Sequence, residues 1–253
     1  MCQERKISDG VLGWRGVLGW VCPAVATSSH DVDFHLAVPE GVELKMITLG
    51  VTAHTSEEVD MALAGVDNAA RRLVTNGAQF ISVEGTPLVS FKGFGFDKEI
   101  IQRVENVAKV PATTSLTAAV DAMRTMNMKR IVMASPMNHE ADERTIKFLQ
   151  ASGFEIIHVK SLNNLYPKDI ETLPRSTAYT VAKQAFLEAS HADGIYLPCG
   201  AWCPPWNIDC LEADLGVPVI HSRQATTWAG LKALHIKEPV KGWGKLFATL
   251  HSN

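Results

Sequence analysis

The stretch from Gly194 to Trp202 reads Gly-Ile-Tyr-Leu-Pro-Cys-Gly-Ala-Trp. Its apolar start is typical of a short buried strand, and the strand ends close to Cys199. The glycine after this cysteine lets the backbone approach a ligand closely. Because ligands bind at the carboxyl ends of strands in an open α/β sheet, the Cys199 thiol is predicted to lie where a reactive group is useful.

A second segment has the same arrangement without a cysteine. The stretch from Gln79 to Thr86 reads Gln-Phe-Ile-Ser-Val-Glu-Gly-Thr, so that Gly85 takes the position after the strand. One strand end therefore carries a thiol and the other carries no side chain. The functional interpretation depends on this asymmetry between Cys199 and Gly85.

Short apolar runs alternate with longer helical patterns along the chain, which is typical of βαβ units and parallel sheets. About eight strands are predicted, in two sets of four. The predicted fold class is α/β with two four-stranded parallel sheets, in domains of residues 14–127 plus 224–253 and residues 128–223. Two such halves in contact would form a cleft between their strand ends.

The predicted elements have the following bounds. The strands are one leading into Val21, then residues 42–51, 79–83, 112–114, 129–134, 155–159, 194–197 and 218–221. The helices are residues 57–76, 97–108, 115–126, 138–152, one within 174–190, 207–214 and 226–234. Thr55 or Ser56 is predicted to cap the first of these helices, and Ser115 or Thr117 the third.

The overall composition is that of an ordinary globular enzyme. The 253 residues are 46% hydrophobic and 20% charged, with a net charge of −3 and basic residues scattered singly. This charge pattern argues against a nucleic-acid or anionic membrane partner. No apolar run reaches the roughly 18 residues that span a bilayer, and the first ten residues do not resemble a secretory signal. We therefore expect a cytoplasmic protein, which can be an oligomer.

The cysteines do not indicate a disulfide framework or a metal site. Their count of five is odd, which favours reduced thiols in a cytosol. Cys199 and Cys203 are four positions apart and Cys210 follows, but no second pair completes a zinc site. A structural metal is therefore not expected.

Motifs at the predicted strand ends recur in a characteristic order. They are Val21-Cys22-Pro23-Ala24, Glu84-Gly85-Thr86, Ala134-Ser135-Pro136, Pro198-Cys199-Gly200 and Leu215-Gly216-Val217-Pro218-Val219-Ile220. By these motifs the chain resembles the aspartate/glutamate racemase superfamily over roughly residues 15–250, and within it the arylmalonate decarboxylases most, then the maleate cis-trans isomerases. The resemblance implies two flavodoxin-like domains related by a pseudo-twofold axis, with the active site between them.

The resemblance also implies an activity. Racemases and maleate isomerases of this superfamily use one cysteine from each half, whereas arylmalonate decarboxylases keep only the second and have glycine at the first. Gly85 and Cys199 match the decarboxylase pattern. The implied reaction is the decarboxylation of an arylmalonate-type diacid through an enediolate that the Cys199 thiol protonates from one face. This scheme needs no metal, biotin or thiamine cofactor, and its partner is a small carboxylic acid.

Several further residues are assigned to the site by their match to these motifs. Those expected to bind the substrate carboxylate are Pro23, Gly85, Thr86, Ser135 and Gly200, and further candidates are Cys22, Met137 and Asn138. The chain departs from the decarboxylase pattern at Pro87, which has no N–H, and at Met137, where a tyrosine is expected. Asn138 or His54 could replace the two lost donors.

Alternatives remain open at this point. Cys199 could be a small buried hydrophobic residue without a catalytic role. The protein could be an isomerase or racemase that pairs Cys199 with Cys22 or Cys203, or a small-acid binding protein without enzymatic activity. Glu84 is the one charge in an apolar strand, and it could face either the cleft or solvent. Trp202 and Trp206 could line an aryl pocket or cover the core.

Overall fold

The computed structural model describes residues 12–25, 33–36, 38–52, 55–164, 167–202, 205–238 and 242–251. The strands in this part of the chain are β1 Gly16–Ala24, β2 Val42–Val51, β3 Phe80–Val83, β4 Ala112–Thr114, β5 Arg130–Ser135, β6 Glu155–Ser161, β7 Gly194–Leu197 and β8 Val219–His221.

The helices lie mainly between the strands, as expected for βαβ units. They are α1 Ser56–Thr75, α2 Thr86–Ser90, α3 Phe96–Ala108, α4 Ser115–Thr125, α5 His139–Ala151, α6 Pro167–Glu171, α7 Thr177–Glu188, α8 Pro205–Leu215, α9 Ser222–Ala233 and α10 Gly244–Ala248, followed by the 3-10 turn Thr249–His251. Residues 33–36 are also helical. No helix within the described ranges is both long and apolar enough to cross a membrane.

The strands form two sheets with the same connectivity. The first has the order β2-β1-β3-β4 and the second the order β6-β5-β7-β8, and all neighbouring strands are parallel. The predicted fold class of two four-stranded parallel sheets is confirmed. Strands β3 and β7 hold the same place in their sheets, so Gly85 and Cys199, which follow them, are topologically equivalent.

Most element boundaries agree with the sequence pattern to within two residues. Thr55 caps α1 as predicted, because its Oγ1 accepts a hydrogen bond from the Glu58 N–H (3.3 Å). The cap of α4 is Thr114, which accepts from the Thr117 N–H (3.2 Å), rather than Ser115 or Thr117. Helix α9 begins at Ser222, four residues earlier than predicted. Helices α2, α6 and α10 were not predicted.

The two halves share a hydrophobic core. The largest buried cluster includes Trp20 of β1, Tyr196 of β7 and Trp228 of α9, each at most 3% exposed. Two smaller clusters each lie within one half. Helix α9 follows the last strand of the second sheet but packs against α4 and β3 of the first half. This packing fixes the strand ends of the two sheets relative to each other.

Candidate active site

A cavity of about 690 Å³, counted with its open mouth, lies at the carboxyl ends of strands from both sheets. Its walls are formed by Cys22, Pro23, Ala24, Val51, Glu84, Gly85, Thr86, Pro87, Met137, Ile170, Glu171, Cys199, Gly200 and Ala201. The two equivalent positions, Gly85 and Cys199, therefore line the same cavity.

The backbone of Cys199 has an unusual conformation. Its φ of 72° lies in the left-handed region, which residues with a side chain seldom adopt. Its carbonyl oxygen is 3.0 Å from His221 Nε2. Because a carbonyl only accepts hydrogen bonds, this nitrogen carries the proton and donates. Burial lowers the pKa of His221 to about 3, so the ring is neutral at pH 7.

The Cys199 thiol is held in its protonated form. Although the residue keeps some accessible surface at the cavity, burial raises the pKa of its thiol to about 11. A hydrogen bond from the backbone N–H of Ala201 and the charge of Arg223 oppose this shift without cancelling it. At neutral pH the thiol can donate a proton, and its thiolate has partners once the proton has left.

A side chain at Gly85 would be strained and would press on the Pro23 ring. The Gly85 φ of 95° is in the region that favours glycine, and a Cβ placed on it would lie 2.5 Å from Cγ of Pro23. Gly85 is the N-cap of α2, and Pro87 stands in the first turn of that helix. The start of α2 and the position of the Pro23 ring therefore both require a residue without a side chain at position 85.

Glu84 faces the cavity, which answers the question that the sequence left open. The residue is only 7% exposed, and burial raises the pKa of its carboxyl to about 7. The hydroxyls of Ser82 and Thr226 and the charge of Arg223 lower that pKa. Even so, Oε1 of Glu84 is fully enclosed and has no hydrogen-bond partner among the described residues.

Arg223, at the start of α9, places a positive charge beside the cavity. It is 2% exposed, and its Nη1 donates to Oδ2 of Asp33 (2.9 Å). Its Nη2 donates to the carbonyl of Gly200. The second oxygen of Asp33 accepts from Nη2 of Arg175 (2.7 Å). Arg223 was not predicted as a site residue, because its only signal in the sequence is that of a lone arginine in the Ser/Ala/Thr-rich helix start after β8.

Most of the predicted site residues come together in this cavity. They are Cys22, Pro23, Gly85, Thr86, Met137, Cys199 and Gly200. The Thr86 hydroxyl is fully enclosed and has no partner with hydrogen-bond geometry within the described ranges, but it lies close enough to Tyr196 to lower the pKa of that phenol. Cys22, at the end of β1, is a second protonated thiol, because burial raises its pKa to about 12.

Ser135 and Asn138 lie outside the cavity wall because local structure uses their side chains. Ser135 Oγ donates to Oδ1 of Asp142 (2.5 Å) and accepts from the Met137 N–H (3.1 Å). Asn138 caps α5, because its Oδ1 accepts a hydrogen bond from the Ala141 N–H (2.9 Å). These two residues are expected to support the loop after β5 rather than to bind substrate.

The two tryptophans do not line the cavity. Trp202 is buried and donates from Nε1 to the carbonyl of Pro198 (3.0 Å), whereas Trp206 is 45% exposed with Arg175 over its ring. His54 and Cys203 lie outside the described residues. Within the described ranges, no three His, Cys, Asp or Glu side chains come together as a metal site.

Comparison with known proteins supports the resemblance seen in the strand-end motifs. The family model for arylmalonate decarboxylase matches residues 19–247. The arylmalonate decarboxylase of Bordetella bronchiseptica is 28% identical over 200 residues, which are 79% of this chain and 83% of the relative. A maleate isomerase of Geobacillus stearothermophilus is 26% identical over 145 residues, which are 57% of each chain.

Solved structures give the same result for the fold. A liganded double mutant of arylmalonate decarboxylase superposes with a TM-score of 0.86 at 25% identity, covering 92% of this chain and 99% of that one. The maleate isomerase Iso from Pseudomonas putida S16 superposes with a TM-score of 0.85 at 20% identity, covering 93% and 99%. The double mutant exchanges a glycine for cysteine and a cysteine for serine, at positions as far apart in sequence as Gly85 and Cys199.

Proposed function

The chain belongs to the arylmalonate decarboxylase family, as the strand-end motifs predicted, and we propose that it is a cofactor-independent decarboxylase of substituted malonates. One observation carries the proposal: a protonated thiol, Cys199, and a position without a side chain, Gly85, follow equivalent strands and line one cavity. A single acid at such a site delivers a proton to one face of a planar intermediate. The expected substrate is a small diacid with an apolar substituent.

The reaction breaks the bond between the α-carbon and one carboxylate, which leaves as CO2. The electron pair stays on the α-carbon and spreads into the retained carboxylate as an enediolate. The Cys199 S–H bond then breaks and the proton bonds to the α-carbon. The Ala201 N–H and the charge of Arg223 stabilise the resulting thiolate until solvent returns a proton to it.

Two features of the cavity would lower the barrier to this reaction. The positive charge of the buried Arg223 guanidinium, which acts on both Glu84 and Cys199, can stabilise negative charge that develops on the retained carboxylate. Apolar wall residues such as Val51, Met137 and Ile170 exclude water from the departing carboxylate, which favours neutral CO2.

A second candidate function is isomerisation. Cys22 lines the same cavity as Cys199, and maleate isomerases are among the relatives. In that case the two thiols would act on the same substrate from different directions. Gly85 argues against this function, because it leaves the position equivalent to Cys199 without a thiol.

Two assays separate these functions. The purified protein is incubated with phenylmalonate while CO2 release is followed, and with maleate while fumarate formation is followed by proton NMR. We expect CO2 release that is lost in Cys199→Ala and kept in Cys210→Ala, a matched change at an exposed cysteine. Fumarate without CO2 would establish the isomerase. Silence in both assays, with thermal stabilisation by carboxylates, would indicate a binding protein instead.

A further inference from the structure

Two carboxyl groups line the cavity, and their surroundings differ. Glu171, on α6, is exposed to solvent. Glu84, between β3 and Gly85, is 7% exposed and is enclosed by protein on all sides except at the cavity. An enclosed carboxyl group normally has a hydrogen-bond partner or a cation, because burying an unpaired charge costs several kcal/mol.

No ion pair compensates Glu84 within the described residues. The positive charge that acts on Glu84 is that of Arg223 on α9, whose Nη1 is paired with Asp33 at 2.9 Å. The hydroxyls of Ser82 on β3 and Thr226 on α9 also lower the pKa of Glu84. Oε1 of Glu84 and Oγ of Ser82 nevertheless both lack a partner with hydrogen-bond geometry. The carboxyl group is thus underpaired in the absence of a ligand.

The other titratable groups that face Glu84 do not ionise near neutral pH. They are Cys22 on β1 and Tyr196 on β7, and burial raises the pKa of each to about 12. The pKa of Cys199 responds instead to Arg223, Glu171 and Asp142. Glu84 therefore acts on one protonated thiol, Cys22, and one protonated phenol, Tyr196, and the same phenol also responds to Cys199.

We propose that Glu84 binds the substrate as a neutral acid, with its carboxyl O–H donating a hydrogen bond to the carboxylate that the substrate retains. This inference rests on the proposed function for the identity of the ligand. A hydrogen bond from a carboxylic acid to a carboxylate is short and charge-assisted. It supplies a donor in a cavity where Pro87 has no N–H and Met137 has no hydroxyl.

The proposal makes substrate binding a proton-linked event. Above neutral pH the free protein holds Glu84 as a carboxylate, which repels an incoming carboxylate and must first take up a proton. One proton therefore enters the complex with each ligand. At pH 6 the group is already neutral, and binding requires no uptake. Buried carboxylic acids that stay neutral in order to donate a hydrogen bond are known in other active sites.

Calorimetry with phenylacetate, the product expected from phenylmalonate, tests this directly. Binding is measured from pH 6 to pH 9 in pairs of buffers that differ in ionisation enthalpy, which reports the protons taken up. For the wild type we expect uptake to approach one proton per ligand at pH 8.5, with affinity falling up to tenfold per pH unit above about pH 7. Glu84→Gln keeps a donor of the same shape and should show neither effect, whereas Glu84→Leu should bind more weakly at every pH.

Glu99→Gln is the matched control, because Glu99 is an exposed glutamate on α3 away from the cavity, and it should behave as the wild type.

Equal proton uptake in the wild type and Glu84→Gln would overturn the inference. If the wild type releases CO2 from phenylmalonate but takes up no proton when it binds phenylacetate, the role of Glu84 is overturned and the proposed function stands. Absence of both phenylacetate binding and CO2 release would overturn both. A Glu84→Gln variant that binds normally at every pH but releases no CO2 would assign Glu84 to the chemical step instead.

Discussion

The role that we propose for Cys199 depends on its backbone as much as on its thiol. Its φ is left-handed, and the carbonyls of Cys199 and Gly200 are held by the side chains of His221, which ends β8, and Arg223, at the start of α9. Strained residues of this kind cluster at functional sites, where the surrounding structure enforces them. The raised pKa of the Cys199 thiol then ensures that a proton is available.

Glu84 should make stability depend on pH. Its pKa is about 7 in the folded protein against a usual 4.5, so the folded state binds more protons than the unfolded state between these values. The contribution of Glu84 to stability is therefore largest at or below about pH 4.5 and falls until about pH 7, by up to about 3 kcal/mol. Urea unfolding of Glu84→Gln should therefore show a gain over the wild type at pH 8 that is much smaller at pH 4.5. A gain of equal size at both pH values would contradict the raised pKa.

Gly85→Cys should be accepted only with strain. The new Cβ would contact the Pro23 ring, and a cysteine at a φ of 95° is unfavourable, so we expect a loss of about 1–3 kcal/mol in urea unfolding. Arylmalonate decarboxylase with one glycine exchanged for cysteine has been crystallised, so that relative accepts such a change. Adding Pro23→Ala should recover part of the loss.

The new thiol of Gly85→Cys would also supply a second acid. We expect weak racemisation of 2-arylpropionates in Gly85→Cys, with or without Pro23→Ala. Chiral chromatography measures the enantiomer ratio over time. If Gly85→Cys is as stable as the wild type and yet racemises nothing, positions 85 and 199 do not face a common ligand.

At the residue scale, sequence identified those site residues whose position follows from the strand pattern alone. Cys199 and Gly85 each stand two residues after a short apolar strand, so their location needs no tertiary information. Ser135 ends strand β5, but its hydroxyl is used by Asp142, seven residues away, which no spacing rule indicates. Arg223 was missed because its approach to Gly200 depends on how α9 packs.

Among the elements, the turn from β8 into α9 has the most influence on the site. His221 ends β8 and is the N-cap of α9, where the Gln224 side chain accepts from its backbone N–H (3.0 Å). Its ring donates a hydrogen bond to the Cys199 carbonyl. One helix start thus fixes both the Cys199 loop and the Arg223 guanidinium.

His221→Ala should loosen the Cys199 loop. It leaves a carbonyl without its buried donor, which costs about 1–3 kcal/mol, and lets Cys199 leave its left-handed conformation. We expect lower stability in urea and a lower kcat on phenylmalonate, with a smaller change in KM. Because the pKa of His221 is about 3, the shape of the pH profile between pH 5 and pH 9 should not change. A shifted acid limb near pH 6 would show that His221 titrates during turnover.

Element boundaries were predictable where a periodic pattern extends over enough residues. Strand β2 and helix α1 agree with their patterns because each spans ten or more residues with one buried face. Helices α2 and α6 have five residues each, too few to show a period. Helix α9 starts early because Gln224 completes its cap, an effect of side-chain bonding rather than of hydrophobic spacing.

The molecule as a whole is built from two similar sheets around a common core. The shared cluster of Trp20, Tyr196 and Trp228 joins the first sheet, the second sheet and the last long helix. The repeat of four strands was visible in the sequence, since each half shows the same alternation. The common core was not, because apolar strand residues do not reveal which layer covers them. The domain boundaries at residues 127–128 and 223–224 stay a prediction.

The shared core should make the two halves unfold together. We expect one calorimetric transition, with a van't Hoff enthalpy equal to the measured enthalpy, because separating the halves would expose the largest buried cluster. Trp228→Ala removes a side chain from that cluster and should lower the transition temperature while keeping a single peak. Two resolved transitions in the wild type would show that the halves are independently stable.

The central claim is that a single thiol protonates the intermediate from one face. The most direct test is the decarboxylation of 2-methyl-2-phenylmalonate in D2O, with the 2-phenylpropionate product analysed by chiral chromatography and mass spectrometry. The account predicts one enantiomer with one deuterium at the α-carbon, stable on prolonged incubation with the enzyme. A racemic product, or a pure product that racemises with time, would contradict it and indicate a second acid on the opposite face, for which Cys22 is the candidate.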